Sequence, residues 1–294
     1  MQSGGSVQDK ILKARGVRTL ARVRSLWRDW LPQCSNPGCT QKPLARAIAR
    51  QNTGVSVGDK WTCGPDCFEE LAREQLSAIM SSRHAQEAPP KLRMPLGLFL
   101  VSRGDLTGEQ LKMVLEEQRR SGANVGDIAQ QFGFATPEQV TAAVAAQWSC
   151  AVFPLRDRVL APAIHVPRRL LATYGMLPVH FAEIDRRLMV GFVTRVQYHI
   201  LRTIEHITSC TATPCFITAR EFDQYLHSPT FSERDNEVVF DRVSGTAEMA
   251  KLARNYIHQI GAHQVRFGIC RDYLWMRIWG SRNEMDLLFR LQPD

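Results

Sequence analysis

The chain has 294 residues, of which 44% are hydrophobic and 22% charged, and its formal net charge is +8. This length accommodates two or three modest domains, and the composition is ordinary for a folded globular protein. No apolar run approaches the ~20 residues of a membrane helix, the longest being Met94 to Val101, and the N-terminus lacks the apolar stretch of a secretory signal. We therefore expect a cytoplasmic protein without a transmembrane segment.

Residues 1–33 have the pattern of a basic amphipathic helix. Apolar side chains over residues 7–31 fall roughly on one face, and Pro32 ends the helix. Such a segment contacts nucleic acid, acidic lipid or an acidic protein surface, or it forms a solvated helix face, and the sequence leaves these alternatives open. Its basic residues are Lys10, Lys13, Arg15, Arg18, Arg22, Arg24 and Arg28, against the acidic Asp9 and Asp29.

Four of the eight cysteines form two pairs, each across a turn rich in Gly, Pro and Asn or Asp: Cys34-Ser-Asn-Pro-Gly-Cys39 and Cys63-Gly-Pro-Asp-Cys67. Such turns let two sulfurs converge on one tetrahedral zinc ion. A helix predicted over 68–80 follows the second pair directly, and a knuckle that leads straight into a helix resembles treble-clef zinc modules. We predict a zinc module over residues 34–85, and the alternative is four buried cysteines. The site is structural because four thiolates leave no coordination position for water, and its ligands are Cys34, Cys39, Cys63 and Cys67.

The other cysteines are scattered along the chain, which is typical of small buried hydrophobic residues. We expect Cys150, Cys210, Cys215 and Cys270 to be core thiols. The polar stretch over 81–91, which contains Pro89 and Pro90, predicts a linker between the zinc module and the next domain.

A tandem repeat begins after this linker, with copies over residues 95–118 and 124–147 and the spacer 119–123. Each copy has two glycines seven residues apart, Gly97 and Gly104 in the first and Gly126 and Gly133 in the second. We predict two helices per copy, joined at the second glycine, which acts as a C-terminal cap. Thr107 and Thr136 are expected to cap the longer helices. These helices carry one apolar stripe each and end on a glutamine: Leu111, Leu115 and Gln118, then Val140, Val144 and Gln147.

This tandem pattern resembles the N-terminal domain of type II secretion and type IV pilus assembly ATPases of the GspE, PulE and MshE type. That family carries, twice, a motif of Arg-Leu-Gly, two aliphatic residues, a glycine, further aliphatic residues and a terminal glutamine. In MshE-type members the paired motif binds cyclic di-GMP. The resemblance implies a candidate cyclic di-GMP site of Leu96, Gly97, Leu111, Leu115, Gln118, Gly126, Asp127, Val140, Val144 and Gln147.

The chain departs from the family motif at several positions. The opening basic residue is Pro95 in the first copy and Asn124 in the second, which removes a planar bidentate partner for phosphate or guanine. Ala129 and Gln130 replace aliphatic residues, and Thr194-Arg195-Val196 replaces an Asp-Pro turn. The alternative to ligand binding is that the same four helices serve packing alone.

The rest of the chain predicts a β/α part over 164–226 and a small α+β segment over 236–294, separated by a polar linker over 227–235. The resembled domain therefore covers 92–226. The last segment looks like a diverged copy of the domain that precedes the ATPase core in that family. Periodicity predicts strands over 176–181, 187–193, 211–217, 264–269, 273–279 and 285–291, and helices over 198–207, 219–226 and 246–260.

Taken together, these elements predict an α+β protein with a basic helix, a zinc module, a tandem helical-hairpin repeat, a β/α subdomain and a small α+β segment. The sequence contains no Gly-x-x-x-x-Gly-Lys-Ser/Thr loop for nucleotide phosphates and no catalytic set with motif support. We expect a non-catalytic bacterial adaptor or regulator that docks a protein of a secretion or pilus apparatus and is a candidate cyclic di-GMP sensor. The alternatives are a zinc-dependent nucleic-acid-binding protein that uses the basic segment, and a scaffold derived from such a domain.

Overall fold

The computed structural model describes residues 32–81, 93–155, 164–228, 236–281 and 283–292. Over these ranges the chain is a mixed α+β protein with two mixed sheets, as expected from the sequence. The predicted basic helix lies outside the described residues, as do the two predicted linkers apart from Ser81, His227 and Ser228. None of the described helices combines the length and the apolar character needed to cross a bilayer.

The described residues form ten helices and ten strands. The helices are α1 (Pro43–Asn52), α2 (Pro65–Ser81), α3 (Leu96–Ser102), α4 (Gly108–Ser121), α5 (Val125–Gln131), α6 (Pro137–Gln147), α7 (Arg168–Tyr174), α8 (Tyr198–Thr208), α9 (Ala219–Leu226) and α10 (Thr246–Ile260). The strands are β1 (Val55–Val57), β2 (Lys60–Thr62), β3 (Ala151–Val152), β4 (Met176–Ala182), β5 (Arg187–Phe192), β6 (Thr211–Phe216), β7 (Glu237–Phe240), β8 (Ala262–Cys270), β9 (Tyr273–Gly280) and β10 (Glu284–Arg290).

The chain divides into two compact units, each assembled from separate stretches. Counting only residues that the structure describes, the first unit consists of those up to Met80 and those within Arg242–Arg266 and Arg277–Met285. The second consists of those within Ser81–Asp241 and Phe267–Met276 and those from Asp286 onward. The domain boundaries expected from the sequence remain predictions.

In the first unit, β1 lies between β2 and β8. It pairs with β2 in antiparallel register, Ser56 opposite Trp61, and with β8 in parallel register, Ser56 opposite Gln264. The side chains of α2 that face the core recur at helical spacing and are fully or almost fully buried, as are those of α10. They are Phe68, Leu71, Ala72 and Leu76 on α2, and Met249, Ala250, Ala253 and Ile257 on α10.

In the second unit, each copy of the tandem repeat forms the predicted pair of helices. The joining glycines Gly104 and Gly133 adopt φ values of +78° and +70°, which favour glycine because a side chain at this φ is strained. Thr107 and Thr136 each form a capping box with the glutamine three residues later. The helix α4 continues through most of the predicted spacer and ends at Gly122. The short helix of each copy packs against the long helix of the other, α3 on α6 and α5 on α4.

The β/α part of the second unit is a four-stranded sheet in the order β3-β6-β5-β4. The pair β4 and β5 is antiparallel, and β6 is parallel to both β5 and β3. The strands and helices predicted over 176–226 are confirmed to within about two residues at each end. The helix α8 turns its apolar face inward, burying Ile200, Leu201, Ile204 and Ile207.

The second sheet has the strand order β2-β1-β8-β9-β10-β7. The division between the two units falls within three of its strands, β8, β9 and β10. Within the second unit, β7 pairs with β10 in parallel register, and Phe240 stacks on Phe289 with ring centroids 4.9 Å apart. The helix and the three strands predicted over 246–291 are confirmed.

Candidate functional site

The four clustered cysteines bring their sulfur atoms together as a tetrahedral metal site requires. All four Sγ atoms lie within 4.8 Å of one another, and Cys63 Sγ lies 3.6 Å from both Cys39 Sγ and Cys67 Sγ. Four sulfurs that each lie about 2.3 Å from a tetrahedral zinc ion are about 3.8 Å apart. Disulfide bonding is a different geometry, with sulfurs about 2.05 Å apart, and all four thiols are free. The donor set and its spacing therefore fit zinc.

The turn that carries the first pair is fixed by Asn36. Its carbonyl oxygen accepts a hydrogen bond from the Cys39 amide at 3.1 Å, and its side-chain oxygen accepts one from the Gly38 amide at 2.9 Å. Its Nδ2 donates to Glu70 Oε2 at 2.5 Å, which ties the turn to α2. Asn36 is buried, and a buried amide with these partners holds both thiols in place. This role was not predicted from the sequence, although an Asn two residues before a glycine in such a turn is the signal for it.

The second pair is positioned by the hairpin and by the start of α2. Cys63 follows β2 directly, and Cys67 lies in the first turn of α2. Thr53 Oγ1 donates to the Cys63 carbonyl oxygen at 3.2 Å. Across the site, the Ser35 amide donates to the Trp61 carbonyl oxygen at 2.7 Å, so the hairpin and the first cysteine turn are joined by main-chain contact. The cysteine sulfurs thus converge because a turn, a hairpin and a helix meet here.

The electrostatics of the cluster disfavour four thiolates in the absence of a cation. Burial raises the pKa of Cys63, and the neighbouring thiols raise it further. Burial also raises the pKa of Cys67, to about 11. For Cys39 the raising effect of burial is outweighed by hydrogen bonds from the Gln41 main chain and the other thiols, which lower its pKa to about 7. A divalent cation bound by all four sulfurs offsets their mutual repulsion and keeps them deprotonated.

The scattered cysteines have the core character expected from the sequence. Cys210, Cys215 and Cys270 are buried and Cys150 is half-buried. Burial raises the pKa of Cys215 to about 12 and raises that of the other three as well. Thiols in such surroundings are weak nucleophiles.

The first glycine of each repeat copy is a point of close helix approach. A Cβ at Gly97 would lie 2.5 Å from Leu111 Cδ1, and one at Gly126 would lie 2.8 Å from Val140 Cγ1. The contacts are reciprocal between copies, because the Gly97 position also faces Val125 and the Gly126 position faces Leu96, each at 3.6 Å. The motif glycines are therefore needed for packing.

The terminal glutamines also make equivalent contacts. Gln118 Nε2 donates to the Ala123 carbonyl oxygen at 3.3 Å, and Gln147 Nε2 donates to the Met94 carbonyl oxygen at 2.5 Å. Each acceptor stands two residues before the first helix of a copy. Gln147 thereby closes the second copy onto the first.

The residues of the predicted cyclic di-GMP site differ in their exposure. Leu96, Leu115, Gln118 and Gln147 are half-buried, Asp127 is exposed, and Gly97, Leu111, Gly126, Val140 and Val144 are buried. Asp127 accepts a hydrogen bond from Asn124, so an amide and a carboxylate side chain lie at the start of the first helix of the second copy. Near the opening of the first copy, the Arg93 guanidinium lies 3.6 Å from the centre of the Trp148 ring, a stacking contact that the sequence analysis missed. Thr194 and Arg195 are exposed in the turn between β5 and α8, and Val196 is buried.

No family model and no curated protein matches the chain. Among solved structures, one of MshE with cdg is similar at 20% identity, with a TM-score of 0.39, and the match covers 46% of this chain and 97% of that one. Two structures of the N-terminal domain of XpsE match at 14% and 16% identity, with TM-scores of 0.36 and 0.27. They cover 45% and 43% of this chain and 91% and 88% of theirs.

Proposed function

We propose that the chain is a non-catalytic docking or regulatory protein built around a GspE-type N-terminal domain over residues 92–226. The observation that carries this proposal is the reciprocal packing of the two repeat copies. Glycine, aliphatic residue and glutamine occupy the same place in both copies and make the same contacts. The proposal assigns the chain no chemical step of its own and makes it a partner for proteins of a secretion or pilus apparatus.

The proposal includes a structural zinc ion held by Cys34, Cys39, Cys63 and Cys67. The order of turn, hairpin and helix around the sulfurs is that of treble-clef modules, with the α1 helix between turn and hairpin. A zinc ion bound by four thiolates has no open position for substrate, so it supplies folding energy. Metal analysis of the purified full chain tests this, with one equivalent of zinc as the expected result.

Cyclic di-GMP is the candidate ligand of the repeat. The paired motif supports this, whereas Pro95 and Asn124 stand where the family motif has a basic residue, so the guanidinium partner for phosphate or guanine is missing in both copies. Calorimetry of the full chain against cyclic di-GMP separates sensing from docking alone. Saturable heat at micromolar ligand supports sensing, and absence of heat at high micromolar ligand restricts the proposal to docking. The variant P95R/N124R, which supplies both missing guanidinium groups, is the matched comparison.

Docking is tested by binding of the purified full chain to the ATPase of a secretion or pilus system and to the cytoplasmic assembly proteins that surround it. Saturable binding to one of them supports the proposal. The variant Gly126→Leu, which forces the repeat helices apart, is expected to lose that binding while keeping its zinc. Equal binding by this variant would show that the repeat is not the docking element.

The alternative of nucleic-acid binding depends on the basic segment, which lies outside the described residues. Phosphate contacts make such binding steeply dependent on salt. A salt titration of DNA or RNA binding with a flat slope would exclude it.

A further inference from the structure

Among the strands that the structure describes, β1 is the neighbour of the N-terminal part of β8 on its outer side. In the sheet order, β9 lies on one side of β8 and β1 on the other. The register places Val57 opposite Val265, and the Gly58 amide donates to the Val265 carbonyl oxygen at 3.4 Å. If β1 moved away, the main-chain N–H and C=O groups of β8 around Val265 would form an open sheet edge.

The strand β1 has little stability of its own. It has three residues, and so has its hairpin partner β2. Isolated two-stranded hairpins are marginal in water even at greater length. Both ends of this hairpin are instead tied to the cysteine cluster, through Thr53 bonded to the Cys63 carbonyl oxygen and through Trp61 bonded to Ser35. The cluster therefore holds β1 in place together with the burial of Val55 and Val57.

A second connection leads from the cluster to β8 through α2 and α10. Asp66 precedes the ligand Cys67, and its Oδ1 accepts a hydrogen bond from Arg254 Nε on α10 at 2.8 Å. Glu69 lies 3.4 Å from the same nitrogen atom. The helix α10 ends at Gly261, immediately before β8. These contacts connect the first turn of α2, which carries Cys67, to the helix that leads into β8.

We infer that a metal ion in the cysteine cluster keeps β1 paired with the edge of β8. Loss of the metal would then expose this edge, which would pair with β8 of a second copy of the chain. The inference rests on the metal site of the proposed function. Exposed strand edges pair with one another, and a twofold antiparallel pairing of β8 is self-complementary. Centred on Val265, it places Arg266 opposite Gln264 of the second copy, so like charges do not meet.

The test uses the full chain and measures three quantities in parallel: metal content, molar mass in solution, and hydrogen exchange of residues 262–266. The metal-loaded protein is expected to be protected over these residues and to keep one molar mass over a wide concentration range. After chelation, exchange over 262–266 should accelerate at least tenfold and the mass should double with increasing concentration. Added zinc should reverse both changes.

A second variant separates opening of the edge from general unfolding. Ser56→Pro removes an N–H that strand alternation directs toward β8, while all four cysteines remain. It is expected to keep its metal, lose protection over 262–266 and dimerise, whereas Ser56→Ala keeps the N–H and should behave as the parent chain. The inference is overturned if the parent chain contains metal but stays monomeric and protected over 262–266 after chelation. It is also overturned if the metal-loaded Ser56→Pro variant stays monomeric and protected over the same residues. Either result leaves the proposed metal site intact. A full chain that contains no metal overturns both.

Discussion

Gln147 donates a hydrogen bond from its side-chain amide to the carbonyl oxygen of Met94, 2.5 Å away and 53 residues earlier in the chain. Gln118 makes the equivalent bond to Ala123, only five residues away. The two bonds occupy the same position in their copies, but they connect segments at very different separations in the chain. One joins the ends of the four-helix unit, and the other closes a local turn.

This difference predicts unequal costs for removing the two glutamines. Gln147→Ala should lower the free energy of unfolding by about 1 kcal/mol, the usual net value of one hydrogen bond, because it releases a long-range connection. Gln118→Ala should lower the free energy of unfolding by less, because its bond joins residues only five apart in the chain. Such a short loop is closed at little entropic cost even without the bond. Chemical denaturation of both variants measures this, and equal losses would contradict the structural distinction. Glutamines that act only on a ligand would leave both curves unchanged.

The two motif glycines, Gly97 and Gly126, should also differ in how much stability is lost when each is replaced by alanine. Gly126→Ala pushes a methyl group against Val140 Cγ1, and a β-branched valine has few other rotamers, so a loss of about 1–3 kcal/mol is expected. Gly97→Ala meets Leu111 Cδ1, which lies at the end of a longer side chain and moves more readily. It should therefore cost less, even though its contact distance is shorter. Gly108→Ala, with open space around the added methyl group, is the control and should cause no loss.

Much of the second unit was predictable because its signals are local. A glycine needed for positive φ, a threonine three residues before a glutamine, and an apolar stripe at helical spacing each act within one or two turns. Gly104, Thr107 and Gln110 show this in the first copy. The cysteine cluster was predictable for the same reason, since each pair of thiols spans one turn.

The first unit was less predictable because its contacts are distant in sequence. The parallel pairing of Ser56 with Gln264 joins the two ends of the described chain, and three-residue strands carry almost no pattern. The helix α1 was not predicted from the sequence. Its apolar residues Leu44 and Ile48 are 74% and 64% exposed, so its amphipathic pattern does not mark a buried face. In the second unit, the Arg93–Trp148 contact was not predicted for the same reason, because the two residues are far apart in the chain.

The capping boxes predict a measurable contribution from single hydroxyl groups. Thr136 Oγ1 accepts the Gln139 amide, and the Gln139 side chain accepts the Thr136 amide. Thr136→Ala removes one of these bonds and should lower the free energy of unfolding by about 1 kcal/mol. Thr136→Ser retains the acceptor oxygen and should stay close to the parent protein. An equal loss in both variants would assign the effect to the methyl group instead.

Thiol reactivity tests the metal site and the core thiols in one experiment. At pH 8 the solution is about four units below the pKa of Cys215, which burial raises to about 12, so only about one in ten thousand of these thiols is ionised. Burial raises the pKa of Cys150, Cys210 and Cys270 in the same direction, so all four core thiols should react slowly with iodoacetamide in the native protein.

Metal coordination protects the remaining four cysteines in a different way, because each sulfur lone pair is held by the ion. Chelation should therefore add rapid alkylation, located by mass spectrometry, at Cys39, whose pKa is lowered to about 7, and at the half-buried Cys34. Alkylation of Cys63 and Cys67 should also appear but more slowly, because burial raises the pKa of both thiols, and excess zinc should suppress alkylation at all four positions. The variant Cys63→Ser is expected to expose the other three even without chelator, whereas Cys150→Ser, outside the cluster, should leave the pattern unchanged. Alkylation of Cys34, Cys39 and Cys67 at the same rate with and without chelator would show that no metal holds these thiols, because all three are only half-buried.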